Sequence, residues 1–288
     1  MTPRFDRFAA LAPEGFVSIA YSDWGRGDAA RAVVCAHGLT RNARDFDVLA
    51  AALAVDGYRV VCVDMPGRGA SGWLAQPEGY GYPLYVSVAA ALLARIGMPE
   101  VDWVGTSMGG IIGMMLAAKA NTPIRRLVLN DIGPMIPKPA LERIAEYVGA
   151  DPRFDDLAGV EAYLRRVNAA FGPLGDAEWA HLARHSAASD GNGRLKLHYD
   201  PAIGAVFKAR PIEDVDLWPI WDGIACPTLV LRGANSDLLS SNTLAEMRRR
   251  GPAAKGLVQS VEFARCGHAP ALMADDQVAS VRQFLADR

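Results

Sequence analysis

The sequence predicts a doubly wound α/β domain on a mostly parallel sheet, interrupted by a helical insertion. Three observations predict it. Short apolar runs alternate with helix-like segments as far as Leu129, the alternation stops after Asp131, and it resumes at Thr228. A strand apolar on both faces is covered on both faces, and short connections between such strands and helices place the helices on either side of one sheet.

The elements follow in order. Phe16 to Tyr21 and Arg31 to Ala36 are β-prone and flank the turn Trp24-Gly25-Arg26-Gly27-Asp28, which reads as a hairpin entering the sheet. An alanine-rich helix from Ala43 to Val55 stops at Gly57, and Tyr58 to Val63 is a strand too apolar to face water. A helix from about Leu84 to Ile96, a strand from Val101 to Val104, a helix from Ser107 to Ala120 and a strand from Arg126 to Leu129 continue the alternation. Between Ile132 and about Pro219 the chain shows helical stretches (Pro139 to Val148, Val160 to Phe171, Asp176 to His185) and no convincing apolar strand. The sheet pattern returns with strands at Thr228 to Leu231 and Val261 to Ala264 and helices at Ser241 to Arg250 and Asp276 to Ala286. The expected division is a core of residues 1–133 and 220–288 around an insertion of residues 134–219 that caps it.

Composition sets the class of partner. Thirty Lys and Arg face 32 Asp and Glu for a net charge of −2, so bulk charge gives no grip on nucleic acid. Hydrophobic residues at 51% and charged residues at 22% suit a chain with a buried core. Cys35, Cys62, Cys226 and Cys266 are far apart and form no C-x-x-C, so neither a disulfide framework nor a zinc knuckle is expected. The N-terminal stretch MTPRFDRFAALAPEGF lacks the apolar run of a signal peptide, and no run approaches the roughly 20 residues that span a bilayer. A cytoplasmic protein without membrane contact is expected.

The chemistry concentrates at Gly105-Thr106-Ser107-Met108-Gly109, a G-x-S-x-G between an expected buried strand and a helix. A tight strand-to-helix turn lifts the Ser107 hydroxyl above the sheet, and the Met108 N–H at the positive end of the helix can donate to an oxyanion. A serine needs a base, and the base needs a carboxylate to orient it. Of His37, His181, His185, His198 and His268, His268 alone follows the last expected strand, in a loop at the carboxyl edge of the sheet. It is the expected base. Two aspartates follow strands and can be the acid, Asp131 and Asp237.

These residues carry a resemblance. The chain resembles the serine-nucleophile, esterase- or lactonase-like branch of the α/β-hydrolase fold family, with nucleophile, acid and histidine in chain order and a helical cap inserted after the sixth strand. Ala36-His37-Gly38-Leu39 resembles the family's H-G oxyanion loop, and Asp64-Met65-Pro66-Gly67-Arg68-Gly69-Ala70-Ser71 resembles its D-x-x-G-x-G-x-S loop. By that likeness Leu39 supplies a second oxyanion amide beside Met108, and His37 shapes the loop. The family's G-x-x-x-D after the later strand assigns Asp237 as acid, with Asp131 the alternative, expected otherwise as a cap hinge or supporting carboxylate. The resemblance implies a small-molecule ester or lactone substrate with a small to medium apolar acyl group, cleaved through an acyl-enzyme on Ser107 without cofactor or metal. C–C bond hydrolysis, perhydrolysis and a non-catalytic ligand receptor are the alternatives on the same scaffold. The loop His37-Gly38-Leu39-Thr40-Arg41-Asn42 departs from the H-G-x-G-P-G of C–C hydrolases, which favours the ester.

Other signals weigh less. Gly67 to Gly72 spells G-x-G-x-x-G, but no helix and no acid at the required spacing follow, so no dinucleotide is expected. His181 and His185 lie one helical turn apart without the glutamate of H-E-x-x-H and read as a cap-helix surface. Cys266 reads as a small buried side chain. Trp73, Trp179, Trp218 and Trp221, with Tyr80, Tyr82 and Met135, are candidates to wall an apolar pocket.

Overall fold

The chain opens with β1 (Arg4–Ala12) and β2 (Gly15–Trp24), then runs through β3 (Ala32–Ala36), α1 (Asp47–Val55), β4 (Arg59–Val63), α2 (Tyr82–Ile96), β5 (Val101–Thr106), α3 (Met108–Ala117) and β6 (Ile124–Asn130). An excursion follows, made of β7 (Met135–Ile136), α4 (Lys138–Tyr147), β8 (Arg153–Phe154), α5 (Leu157–Val167), α6 (Asp176–Ser186), β9 (Ala187–Ser189), β10 (Leu195–Leu197), α7 (Ala205–Lys208), β11 (Val215–Asp216) and α8 (Trp218–Gly223). The last part is β12 (Thr228–Gly233), α9 (Ser241–Met247), β13 (Val258–Phe263) and α10 (Asp275–Ala286). This computed structural model describes residues 1–209 and 211–287; Arg210, inside the expected insertion, and Arg288, at the end of the expected core, lie outside the described residues.

Eight strands form one sheet in the order β1-β2-β4-β3-β5-β6-β12-β13. From β4 to β13 every neighbouring pair is parallel, and β2 joins both β1 and β4 antiparallel. The sheet class matches the expectation, and the entry hairpin does not. β2 pairs with β1, not with β3, because the expected partner lies further in behind β4. β1 escapes an apolar reading because it is an edge strand, exposed along most of its length and carrying Arg4, Asp6 and Arg7.

Strand alternation divides the interior. Val34, Val61, Val63, Trp103, Leu127 and Leu129 point to the face covered by Val88 and Leu92 of α2 and Ile112 of α3. Val33, Cys35, Cys62, Val104, Val128 and Leu231 point to the face covered by Leu49 and Leu53 of α1 and Val281 and Phe284 of α10. A period of two in a run of uniformly apolar residues is what a strand buried on both sides requires.

Among the described residues of the excursion, no strand joins the large sheet. β7 and β11 pair antiparallel and bring its two ends together, while β8, β10 and β9 form a small sheet of their own. Val160, Leu164, Trp179 and Leu182 pack a separate apolar cluster there. Strands of two or three residues are too short to show periodicity, so the sequence reading finds only the helices.

Candidate active site

The site is assembled where β5, β6 and β13 end at the carboxyl edge of the sheet. Ser107 stands between β5 and α3 with φ 51° and ψ −114°, a backbone conformation that side chains adopt only when their surroundings enforce it. Three observations show the enforcement. Ser107 N–H donates to the Asn130 carbonyl at 3.1 Å, and the Gly110 and Ile111 amides donate back to the Ser107 carbonyl. A side chain at Gly109 would collide with the Ala36 backbone, so the helix can approach β3 only with glycine there. Trp103 Nε1 donates to the Gly109 carbonyl at 3.0 Å and braces the turn from the core.

His268 leaves the loop after β13 and reaches Ser107. Its Nε2 lies 3.0 Å from Ser107 Oγ and its Nδ1 lies 2.8 Å from Asp131 Oδ2. The loop is tied from both sides: Gly267 N–H donates to Ala170 of the excursion, Asn235 N–H donates to the Cys266 carbonyl, and Asn130 Nδ2 donates to the Pro270 carbonyl. Asn130 Nδ2 also reaches Thr106 Oγ1 at 3.0 Å, so one buried amide beside Asp131 joins the serine turn to the histidine loop.

The aspartate on His268 is Asp131, and the expectation for Asp237 is corrected. The Asp237 carboxylate pairs with the Arg143 guanidinium of α4 and is 48% exposed. Asp131 is fully buried, and its N–H donates to the Leu231 carbonyl, which extends the pairing of β6 with β12 by one residue. Its φ of 54° turns the carboxylate back over the sheet edge. Gly233 N–H donates to Oδ1 at 2.7 Å and Ser236 Oγ to Oδ2 at 2.5 Å. Gly233 N–H, Ser236 Oγ and His268 Nδ1 together fix the direction of a carboxylate that is wholly buried.

Leu39 and Met108 both line a cavity that reaches Ser107. Gly109 N–H donates to the His37 carbonyl at 3.2 Å and couples the Leu39 loop to the start of α3. His37 accepts from Met65 N–H at Nε2 (3.0 Å), and its Nδ1 lies 2.7 Å from the Gly38 carbonyl. Burial holds its pKa down at about 3, so it stays neutral and keeps both bonds. Arg68 is fully buried, and sequence reasoning assigns it no role. Its Nε donates to the Leu39 carbonyl at 2.8 Å, its Nη1 to Pro66 O and Tyr85 Oη, and its Nη2 touches Met108 Sδ at 3.7 Å. The guanidinium thereby fixes the loop carrying Leu39 and packs against Met108. Its position inside the D-x-x-G-x-G-x-S stretch was the available signal.

A serine held at positive φ and an imidazole bridging it to a buried carboxylate are the parts that nucleophilic attack on a carbonyl carbon requires. The profile of the alpha/beta hydrolase family matches residues 33–281, most of the chain and every residue just described. The chain belongs to this family. It is therefore a hydrolase of the α/β type. It is 43% identical to a 3-hydroxybutyrate-oligomer hydrolase of Cupriavidus necator, with 98% of each chain covered. It is 31% identical to a 2-(acetamidomethylene)succinate hydrolase of Mesorhizobium japonicum over 75% of each. A crystal structure of an alpha/beta hydrolase from Novosphingobium aromaticivorans, 35% identical, superposes with a TM-score of 0.86 over 99% of both chains.

Two cavities of the hydrolase meet at Ser107. One, of about 360 Å³, is apolar and lined by Tyr82, Met108, Ile111, Ile136, Leu141 and Phe207 among others. The other is smaller and more polar, with Thr40, Arg41, Arg143, Asn168 and His268 on its walls. Tyr80 and Tyr82 line the apolar cavity, whereas the tryptophans expected there do not. Trp179 and Trp221 are core residues, Lys196 lies over the ring of Trp73, and Arg250 lies over that of Trp218.

The remaining candidates have other partners. His181 and His185 do face Asp47, but Arg44 Nε holds that carboxylate at 2.8 and 3.0 Å and the Arg44 carbonyl accepts from His181 Nε2 at 2.9 Å. Cys266 is buried, which pushes its thiol pKa up, away from a nucleophilic thiolate. No helix among the described residues is long and apolar enough to cross a membrane.

Proposed function

We propose that this hydrolase cleaves carboxylic esters through an acyl-enzyme on Ser107, and that its substrates are short oligoesters of a 3-hydroxy acid. The hydrogen-bonded run from Ser107 Oγ through His268 to Asp131 carries the reading. His268 Nε2 accepts the serine proton as Oγ attacks the ester carbonyl, and Asp131 stabilises the imidazolium that forms. The Leu39 and Met108 amides take the oxyanion, with α3 adding the positive end of its dipole. Collapse of the tetrahedral intermediate releases the alcohol, which takes its proton from His268. Water activated by the same imidazole then frees the acid and restores Ser107.

The substrate class rests on the 43% identity, over 98% of both chains, to the hydrolase of 3-hydroxybutyrate oligomers and on the shape of the site. The apolar cavity suits the methyl-bearing acyl half. The polar arm beside it, with Thr40, Arg41, Arg143 and Asn168, suits a leaving half that ends in a carboxylate. The excursion between β6 and β12 closes over both arms and serves as the cap.

Hydrolysis of a 3-hydroxybutyrate dimer and trimer, alongside p-nitrophenyl esters from acetyl to octanoyl, tests the proposal with the intact protein and Ser107→Ala. Oligomer turnover that falls about 10³-fold or more in the variant is expected. Absence of turnover, together with absence of a fluorophosphonate adduct on Ser107, would replace the enzyme reading with a ligand receptor.

A further inference from the structure

We infer that Ser236 is a positioning residue for the acid of this site, so that the carboxylate comes from the end of β6 and its holder from the loop after β12. The inference rests on the ester-hydrolase reading above and adds a residue to it.

A serine hydroxyl has one proton to donate and two lone pairs to accept with. At Ser236, Leu238 N–H reaches Oγ at 3.2 Å and Leu239 N–H reaches it at 3.0 Å, which fills the accepting side. The proton therefore points at the remaining neighbour, Asp131 Oδ2, 2.5 Å away. That is the same oxygen to which His268 Nδ1 donates. Ser236 N–H is itself tied to the Gly233 carbonyl at 2.9 Å, and Gly233 N–H holds the other carboxylate oxygen. The side chain is almost wholly buried, so water does not stand in for it. One turn of loop thus grips both oxygens of Asp131 and leaves Oδ2 a single direction in which to meet the imidazole.

The neighbouring residue makes the assignment specific. Asp237, the acid expected from the family's spacing, turns outward to Arg143. The loop keeps its place beside the histidine and contributes a hydroxyl donor in place of a carboxylate.

A double-mutant cycle separates positioning from plain structure. Ser236→Ala is expected to lower kcat for ester hydrolysis and the rate of Ser107 labelling by a fluorophosphonate, each about 10-fold or more, because a donor to a buried charge is lost. In an Asp131→Asn background the same change is expected to alter either rate by less than about twofold, since the group through which Ser236 acts is gone. The acid limb of the kcat/KM profile should also move, a readout that a merely structural role would leave in place. Ser236→Thr, which keeps the hydroxyl, should recover most of the rate, and Ser236→Cys, a weaker donor, should fall between and carries the cycle if the alanine variant does not fold. Additive losses in the cycle, or an unmoved acid limb with parental rates, would make Ser236 a structural loop residue only. Failure of the fluorophosphonate to label the parent protein would instead overturn the serine mechanism itself.

Discussion

Asp131 and Asp237 follow neighbouring parallel strands, β6 and β12, at the same edge of the sheet, and both are within reach of loops that frame Ser107. They share a functional group and differ in everything around it. Asp131 is fully buried, lies in a positive-φ turn and receives Gly233 N–H, Ser236 Oγ and His268 Nδ1. Asp237 is half exposed and spends its charge on Arg143 of the excursion. A carboxylate orients an imidazole when its own orientation is fixed and water is kept away. By that measure one aspartate is prepared for the task and the other holds two parts of the chain together.

The largest effect that would break this contrast is loss of Asp131. Asp131→Asn preserves the volume and presents an amide N–H to His268, which forces the wrong tautomer. A fall in kcat of about 10³- to 10⁴-fold with little change in KM is expected from steady-state ester hydrolysis. A change of less than about tenfold would mean that His268 is oriented by something other than this carboxylate.

The same contrast explains what the sequence could and could not reveal. The sheet, the strand-to-helix serine and the histidine after the last strand are local patterns, and each was readable from a few consecutive residues. The choice between Asp131 and Asp237 depends on which of two loops folds inward, and that is decided by Leu231 O accepting from Asp131 N–H and by Arg143, a residue 94 positions away from its partner. Neither is a local pattern. β1 was missed for a related reason, since an edge strand with charged residues lacks the apolar signature of those buried behind it. Arg68 and Asn130 act through long-range hydrogen bonds that no spacing rule anticipates.

Arg68 offers the next largest effect. A buried guanidinium is costly unless its donors are satisfied, and this one satisfies them on Leu39 O, Pro66 O and Tyr85 Oη. Arg68→Met should leave Leu39 free to turn and remove a positive charge from behind the proposed oxyanion amides. A drop in kcat of about 10- to 10²-fold is expected, a fraction of what direct loss of an oxyanion donor costs. Arg68→Lys should recover little, because a single ammonium cannot reproduce the fork. Parental kcat in a folded Arg68→Met protein would reduce the residue to packing.

The histidines repeat the comparison between a buried group held in one state and a group poised to change. Burial holds His37 at about 3 and His185 at about 4, against an ordinary 6.5. In the unfolded chain both take up protons that the folded chain refuses, so stability is lost as pH falls from 6.5 toward 3. Asp64 works the other way: burial pushes it up to about 6 from 3.8, so its contribution weakens as pH rises across that interval. His198 is depressed by burial as well and Asp102 is raised by it; the depressed histidines outweigh the raised aspartates, and Tm should fall on acidification from pH 7 to pH 4. His37→Gln should flatten that slope whatever it does to Tm at pH 7, and an unchanged slope would remove His37 as its source.

The smallest expected effect belongs to Asp237. The pair it forms with Arg143 has side chains 48% and 40% exposed, and an exposed pair of this kind contributes about 0.2 to 1 kcal/mol. Asp237→Asn and Arg143→Gln should each change kcat by no more than a few-fold and lower Tm by a degree or two at low salt, with the difference vanishing as salt screens the pair. If both variants are equally affected and the double variant is no worse, the effect is that of the pair, which spans the loop after β12 and α4 of the excursion. A loss of kcat in Asp237→Asn approaching that of Asp131→Asn would reverse the assignment. It would mean that the two loops exchange their aspartates during turnover, and that the arrangement of His268 on Asp131 is only one of the states the reaction visits.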